Sequence, residues 1–174
     1  TLVISPHLLP SLPYDPFKDF APVATLTKSE YLLALHPSVP ANNLREFIAL
    51  AKSKPGQLNY ATSGAGGPQN LAGELFNILA GVKIQHIPYK GGGPAFVDLI
   101  AGQVQLAFNN AINVLPHIKT GKLKAMAISG ATRSSVLPQV PTFTEAGLPG
   151  FDVSNWFGVT VPAGTAKPII DKLS

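Results

Sequence analysis

The stretch Tyr60-Ala-Thr-Ser-Gly-Ala-Gly-Gly-Pro68 carries the clearest chemistry of the chain: an apolar run ends in small hydroxyl and glycine residues just before a helical pattern begins. Glycines let backbone N–H groups approach a ligand closely, and the unpaired N–H groups and positive dipole end of the next helix favour a negative charge. Thr62, Ser63, Gly64, Ala65 and Gly66 therefore read as a cradle for a carboxylate or phosphate that requires no cationic clamp. The plainer reading is a tight turn packed against a sheet. Asn109-Asn110 form a second polar cluster after a strand pattern, and if the two strands are neighbours the clusters flank one crevice. Three or four charge-assisted hydrogen bonds at about 1.5–3 kcal/mol each would hold a carboxylate at roughly micromolar strength once association costs are met.

Other chemistries find less support. Lys90-Gly-Gly-Gly93 opens another helical pattern and could hold an anion, but periodicity alone does not say whether it faces the same crevice. Neither glycine stretch has P-loop spacing or the dinucleotide fingerprint with its acidic ribose reader. An α/β enzyme that uses residues 62–67, either with Ser63 as nucleophile or by holding a phosphorylated substrate, is the alternative to pure binding. No G-x-S-x-G elbow surrounds Ser63 or Ser5, and no carboxylate is spaced to orient a histidine, so no catalytic residue is assigned. His7, His36, His86 and His117 lack metal-ligand spacing, and neither a metal nor another cofactor is expected. His36 and His86 read as structural, whereas His7, in a polar turn after Leu2-Val-Ile4, is a candidate ligand contact together with Ser5.

These residues need a frame. Tyr31 to Leu35 is strand-like, and Leu44 to Lys52 is a helical stripe with Asn42 or Asn43 as N-cap and Pro55-Gly56 as stop. Strand Leu58–Ala61 precedes a helix from about Pro68 to Leu79, opened by proline and closed by Gly81. Lys83–Tyr89, a helix Pro94–Ile100, Val104–Phe108, a helix Val114–Thr120 and Leu123–Ser129 continue the alternation. Strands alternating with helices imply an α/β fold with a mostly parallel five-stranded sheet flanked by helices. Residues 31–153 are expected to form one complete lobe, with 1–30 and 154–174 as fragments of a second. Ser154–Val161 is a strand-like return crossing, and Pro168 to Ser174 is helical in pattern. Tyr31 and Trp156 lie where the crossings should run; either could line a cleft, though core packing is the expected role of a tryptophan. Both ends fall inside element patterns, so the chain is expected to be part of a longer one.

Composition narrows the class. At 174 residues with 45% apolar side chains the chain buries a core, while 16 glycines and 17 prolines with only 13% charged residues point to short buried elements joined by many loops. The formal charge of +4 comes from scattered lysines, not from a basic stripe with interleaved aromatics, so nucleic acid is not an expected partner. Cysteine is absent, which removes disulfides and thiolate chemistry, and no apolar run reaches membrane-spanning length.

Seven further blocks run in order along the chain: Leu12 to Phe20, His36 to Pro40, Pro55 to Gly64, Leu71 to Phe76, Pro88 to Ala95, Val140 to Gly147, and Trp156 to Gly158 with Pro162 to Thr165. Together they resemble the Bug family, the substrate-binding proteins of tripartite tricarboxylate transporters. The resemblance implies a type II-like periplasmic binding protein lobe and a periplasmic receptor that closes on a small organic acid and presents it to a membrane permease. It implies a carboxylate held by loop amides, small hydroxyls and waters, with Ser5-Pro-His7 and Asn109-Asn110 matching further contact loops. Family members are longer at both ends, which implies half a cleft here and, for so short a chain, exposed strands open to self-association.

Overall fold

The computed structural model describes residues 2, 4–8 and 10–174. The chain divides into two compact units, Thr1–Ser29 with Asn155–Ser174, and Glu30–Ser154. In chain order the elements are α1 (Ser5–Leu8), β1 (Phe20–Leu35), α2 (Leu44–Ser53), β2 (Asn59–Thr62), α3 (Pro68–Ala80), β3 (Gln85–Pro88), α4 (Gly92–Ile100), β4 (Leu106–Asn110), α5 (Ala111–Lys119), β5 (Lys124–Ile128), β6 (Ser154–Pro162) and α6 (Lys167–Leu173).

The larger unit is built on a sheet with strand order β3-β2-β4-β1-β5. β2 runs parallel to β3 and β4, as alternating strands and helices require. β1 is antiparallel to both β4 and β5, so the sheet is mixed and the expected parallel pairing is corrected at this strand. The physical reason is its point of entry: Tyr31 pairs with Asn110 and Leu35 with Leu106, so β1 enters at the edge where its neighbour finishes. Periodicity reports which residues are buried, not which way a strand runs.

Side chains alternate across a strand, so β1 divides the interior in two. Tyr31, Leu33 and Leu35 join Phe47 and Ala51 of α2 and Ala72, Phe76 and Ala80 of α3 in one core. Leu32 and Ala34 join Ala95 and Leu99 of α4 and Val114 of α5 in the other. Burial on both faces explains why these strands read as unbroken apolar runs. Rings dominate the first core, with Phe76 within 5.8–6.3 Å of Phe108, Phe143 and Phe151.

Local chemistry sets the helix ends. Asn43 caps α2, accepting from the Glu46 amide at 2.9 Å, while the Glu46 carboxylate accepts from Asn43 Nδ2 at 2.6 Å and from the Asn42 amide at 2.8 Å. α3 opens on Pro68 and closes on Gly81, whose φ of 61° is the left-handed conformation glycine supplies at least cost.

In the smaller unit the first part of β1 pairs with β6, and the Ala163 amide donates to Asp19 O at 2.9 Å. Thr1 and Val3 lie outside the described residues; Leu2 and Ile4 are in turns, and Ser5–Leu8, with His7, forms one helical turn. Trp156, expected in a core, is 52% exposed, whereas Tyr31 is buried and desolvation pushes its phenol up to about 12. No described helix is long and apolar enough to cross a membrane.

Candidate functional site

β2 ends on Thr62, which is 1% exposed and organises the loop that follows. Its hydroxyl donates to Gly64 O at 2.9 Å and accepts from the Gly64 amide at 3.2 Å. With that proton committed, His86 Nε2, 2.6 Å away, is the donor to Thr62 Oγ1. The His86 ring stacks on Tyr60 with centroids 5.1 Å apart, and burial holds its pKa below the ordinary value, opposed by the charge of Glu74.

Two further amides of the loop are taken by side chains from the first turn of α3. The Ser63 N–H donates to Gln69 Oε1 at 2.9 Å, and the Gly66 N–H to Asn70 Oδ1 at 3.0 Å. Asn70 is fixed at both ends, because its Nδ2 donates to Tyr60 Oη at 2.9 Å and that phenol donates to Glu74 Oε1 at 2.6 Å. Burial and the Glu74 contact raise the Tyr60 pKa, so the phenol stays protonated and keeps its role as donor. Gly66 has φ of 70°, which bends the loop back toward Asn70. Gly73 is required on α3, since a Cβ there would lie 2.3 Å from the Tyr60 ring. The start of α3 itself, with Gly67 as N-cap, has no side-chain cap.

The neighbouring strand brings a second glycine loop alongside. The Tyr89 amide donates to Thr62 O at 3.0 Å and the Gly91 amide to Ser63 O at 3.3 Å, so Lys90-Gly-Gly-Gly93 does share the edge of residues 62–67. Gly91 has φ of 115°, but Gly92 and Gly93 do not have positive φ, and a Cβ on either would meet nothing within 4 Å.

On the other side of β2, pairing of Tyr60 with Leu106 and Ala61 with Ala107 brings the end of β4 to the same edge. Asn109 and Asn110 are the last residues of that strand, not the loop after it. Asn109 Oδ1 accepts from the Asn110 amide at 2.9 Å and from Asn113 Nδ2 at 3.3 Å. Asn110 Oδ1 is buried with no partner among the described residues. Beyond β5 a groove of about 230 Å³ is lined by Ser129, Phe143, Phe151 and Asp152 among others. Ser129 there accepts from the Tyr31 amide at 2.8 Å and donates to Val153 O.

Thr62, Ser63, Gly64, Ala65, Gly66, Asn109 and Asn110 are thus gathered at one edge of one sheet, while Ser5 and His7 belong to the smaller unit. Gln69 and Asn70 escaped the reading of the sequence, whereas His86, read as structural, is bonded to the buried Thr62. The usable signal was a helix start lacking Ser, Thr, Asp or Asn at its cap but carrying two amide side chains in its first turn. His86 bonds Thr62, not Ser63.

A family model described as "Tripartite tricarboxylate transporter family receptor" matches residues 1–174. Protein BugT of Bordetella pertussis is 40% identical over 97% of this chain and 52% of its own length. Among solved structures, MatC of Rhodopseudomonas palustris with bound malate is 40% identical with a TM-score of 0.88, covering 98% of this chain and 58% of that one. An R. palustris protein solved with adipate is 35% identical with a TM-score of 0.88, covering 94% and 55%. The chain therefore spans about half the length of the curated relatives it matches.

Proposed function

Because the chain belongs to the family of receptors of tripartite tricarboxylate transporters, we propose that it captures a small carboxylated solute in the periplasm and serves a membrane permease by releasing it. The observation that carries this reading is the gathering of three polar features at one sheet edge: residues 62–67 with the uncapped start of α3, the glycine loop before α4, and Asn109-Asn110. In this reading the solute carboxylate accepts from the Ser63 amide and hydroxyl and from the first-turn amides of α3. Gly64 and Gly66 give the loop its shape, Ala65 keeps the wall small, and the asparagine amides bond the remainder of the solute. Malate and adipate, the molecules found with the two R. palustris proteins, are both dicarboxylates, which supports that class as the first to test.

Turnover is not part of the proposal. The competing enzyme reading needs a base at Ser63, and His86 is bonded to Thr62 instead. Calorimetric titration with malate, adipate, succinate, aspartate and glutamate tests the receptor reading. Saturable heat with a dissociation constant in the micromolar range is expected for at least one of them. Absence of binding by every member would overturn it.

A further inference from the structure

We propose that Gln69 is a built-in competitor for the solute: its side-chain carbonyl occupies the Ser63 amide in the unliganded protein and must leave before a carboxylate can take its place. The inference rests on the receptor reading above and names what sets the affinity of that site.

The two amide side chains of the first turn of α3 are held differently. Asn70 spans from the Gly66 amide at 3.0 Å to the Tyr60 phenol at 2.9 Å, and that phenol is anchored in turn by Glu74. Gln69 has the single bond from the Ser63 amide at 2.9 Å, and its own NH2 group has no partner among the described residues. Ser63 is exposed and Gln69 half-buried, so this bond lies where water and solute can reach it. One neutral hydrogen bond of this kind is worth a net of about 0.5–1.5 kcal/mol, so the contact is made in the unliganded protein yet is weak enough to exchange. A carboxylate oxygen at the same N–H makes a charge-assisted bond roughly twice as strong and also gains from the positive end of α3. A charged solute therefore displaces Gln69, whereas a neutral amide or ester exchanges like for like and gains little. Asn70, anchored at both ends, stays in place and keeps the loop in shape during the exchange.

Opposite substitutions at this one position test the idea. Gln69→Ala removes the competitor, and every carboxylate that binds the natural protein should bind about threefold to tenfold tighter. Gln69→Glu installs a charged competitor beside the same amide and the same helix start; binding should weaken at least tenfold while the melting temperature holds or rises. In the natural protein, adding the solute should move the Gln69 side-chain NH2 resonances toward their free values and shift the Ser63 amide. If the natural protein binds malate or another member of the panel but Gln69→Ala binds equally or more weakly, Gln69 is a strut or a solute contact and the competitor is overturned, with the receptor reading intact. If the natural protein binds nothing, the receptor reading falls and takes the competitor with it. Melting curves of both variants separate a change of affinity from a loss of fold.

Discussion

Two glycine loops leave adjacent parallel strands and open α3 and α4, yet they use glycine for different ends. In residues 63–67 the glycines serve shape, because Gly64 and Gly66 have φ of 148° and 70° and the amides of Ser63, Gly64 and Gly66 are bonded internally. In residues 91–93 only Gly91 needs an unusual backbone, and Gly92 and Gly93 look out on open space. Glycine at a helix start with no steric need for it gives up about 0.5–1 kcal/mol relative to alanine. The first loop is thus a self-satisfied scaffold with one loosely held amide, and the second is bare backbone left accessible.

That contrast can be broken most sharply through the support of the first loop. Gly73→Ala drives a methyl into the buried Tyr60 ring, and the loss of stability should be about 2–3 kcal/mol, read as a lower denaturant midpoint. Next comes Gly66→Ala, which must hold a left-handed residue and should cost about 1–2 kcal/mol by the same measurement. Thr62→Val leaves the Gly64 amide and His86 without their shared oxygen, and about 1–2 kcal/mol should be lost. Gly93→Ala should go the other way, raising stability by up to about 1 kcal/mol while weakening solute binding if bare backbone is what the site uses. If Gly93→Ala destabilised the protein as Gly66→Ala does, the distinction between the loops would collapse.

The smallest effect is one of pH. Burial lowers the His86 pKa in the folded protein, so the unfolded chain takes up the proton first. The contribution to stability is complete above the ordinary histidine value of 6.5 and declines as pH falls through it toward the lowered native value. Melting temperatures of the natural protein should fall between pH 7.5 and 5.5, and His86→Gln should flatten that slope.

Much of this frame was legible in the chain itself. Pro68 and Gly81 bracket α3 because each performs a backbone task few other residues can, so the helix was readable to within a residue. The residues 62–66 stood out for the same reason. The direction of β1 did not, since a strand buried on both faces has the same pattern whichever way it runs. Nor did the contact between Gly91 and Ser63, which depends on strand order, or the internal bonding of the loop, which depends on where two amide side chains point in three dimensions. Trp156 misled because size predicts burial only where a core lies beside it.

The run Tyr31-Leu-Leu-Ala-Leu35 feeds both interiors from alternate faces, with a register shift between Leu33 and Ala34 against β5. Deleting or inserting one residue there would turn each interior's side chains toward the opposite set of helices. These five positions can therefore exchange side chains but not change in number without exchanging the two interiors.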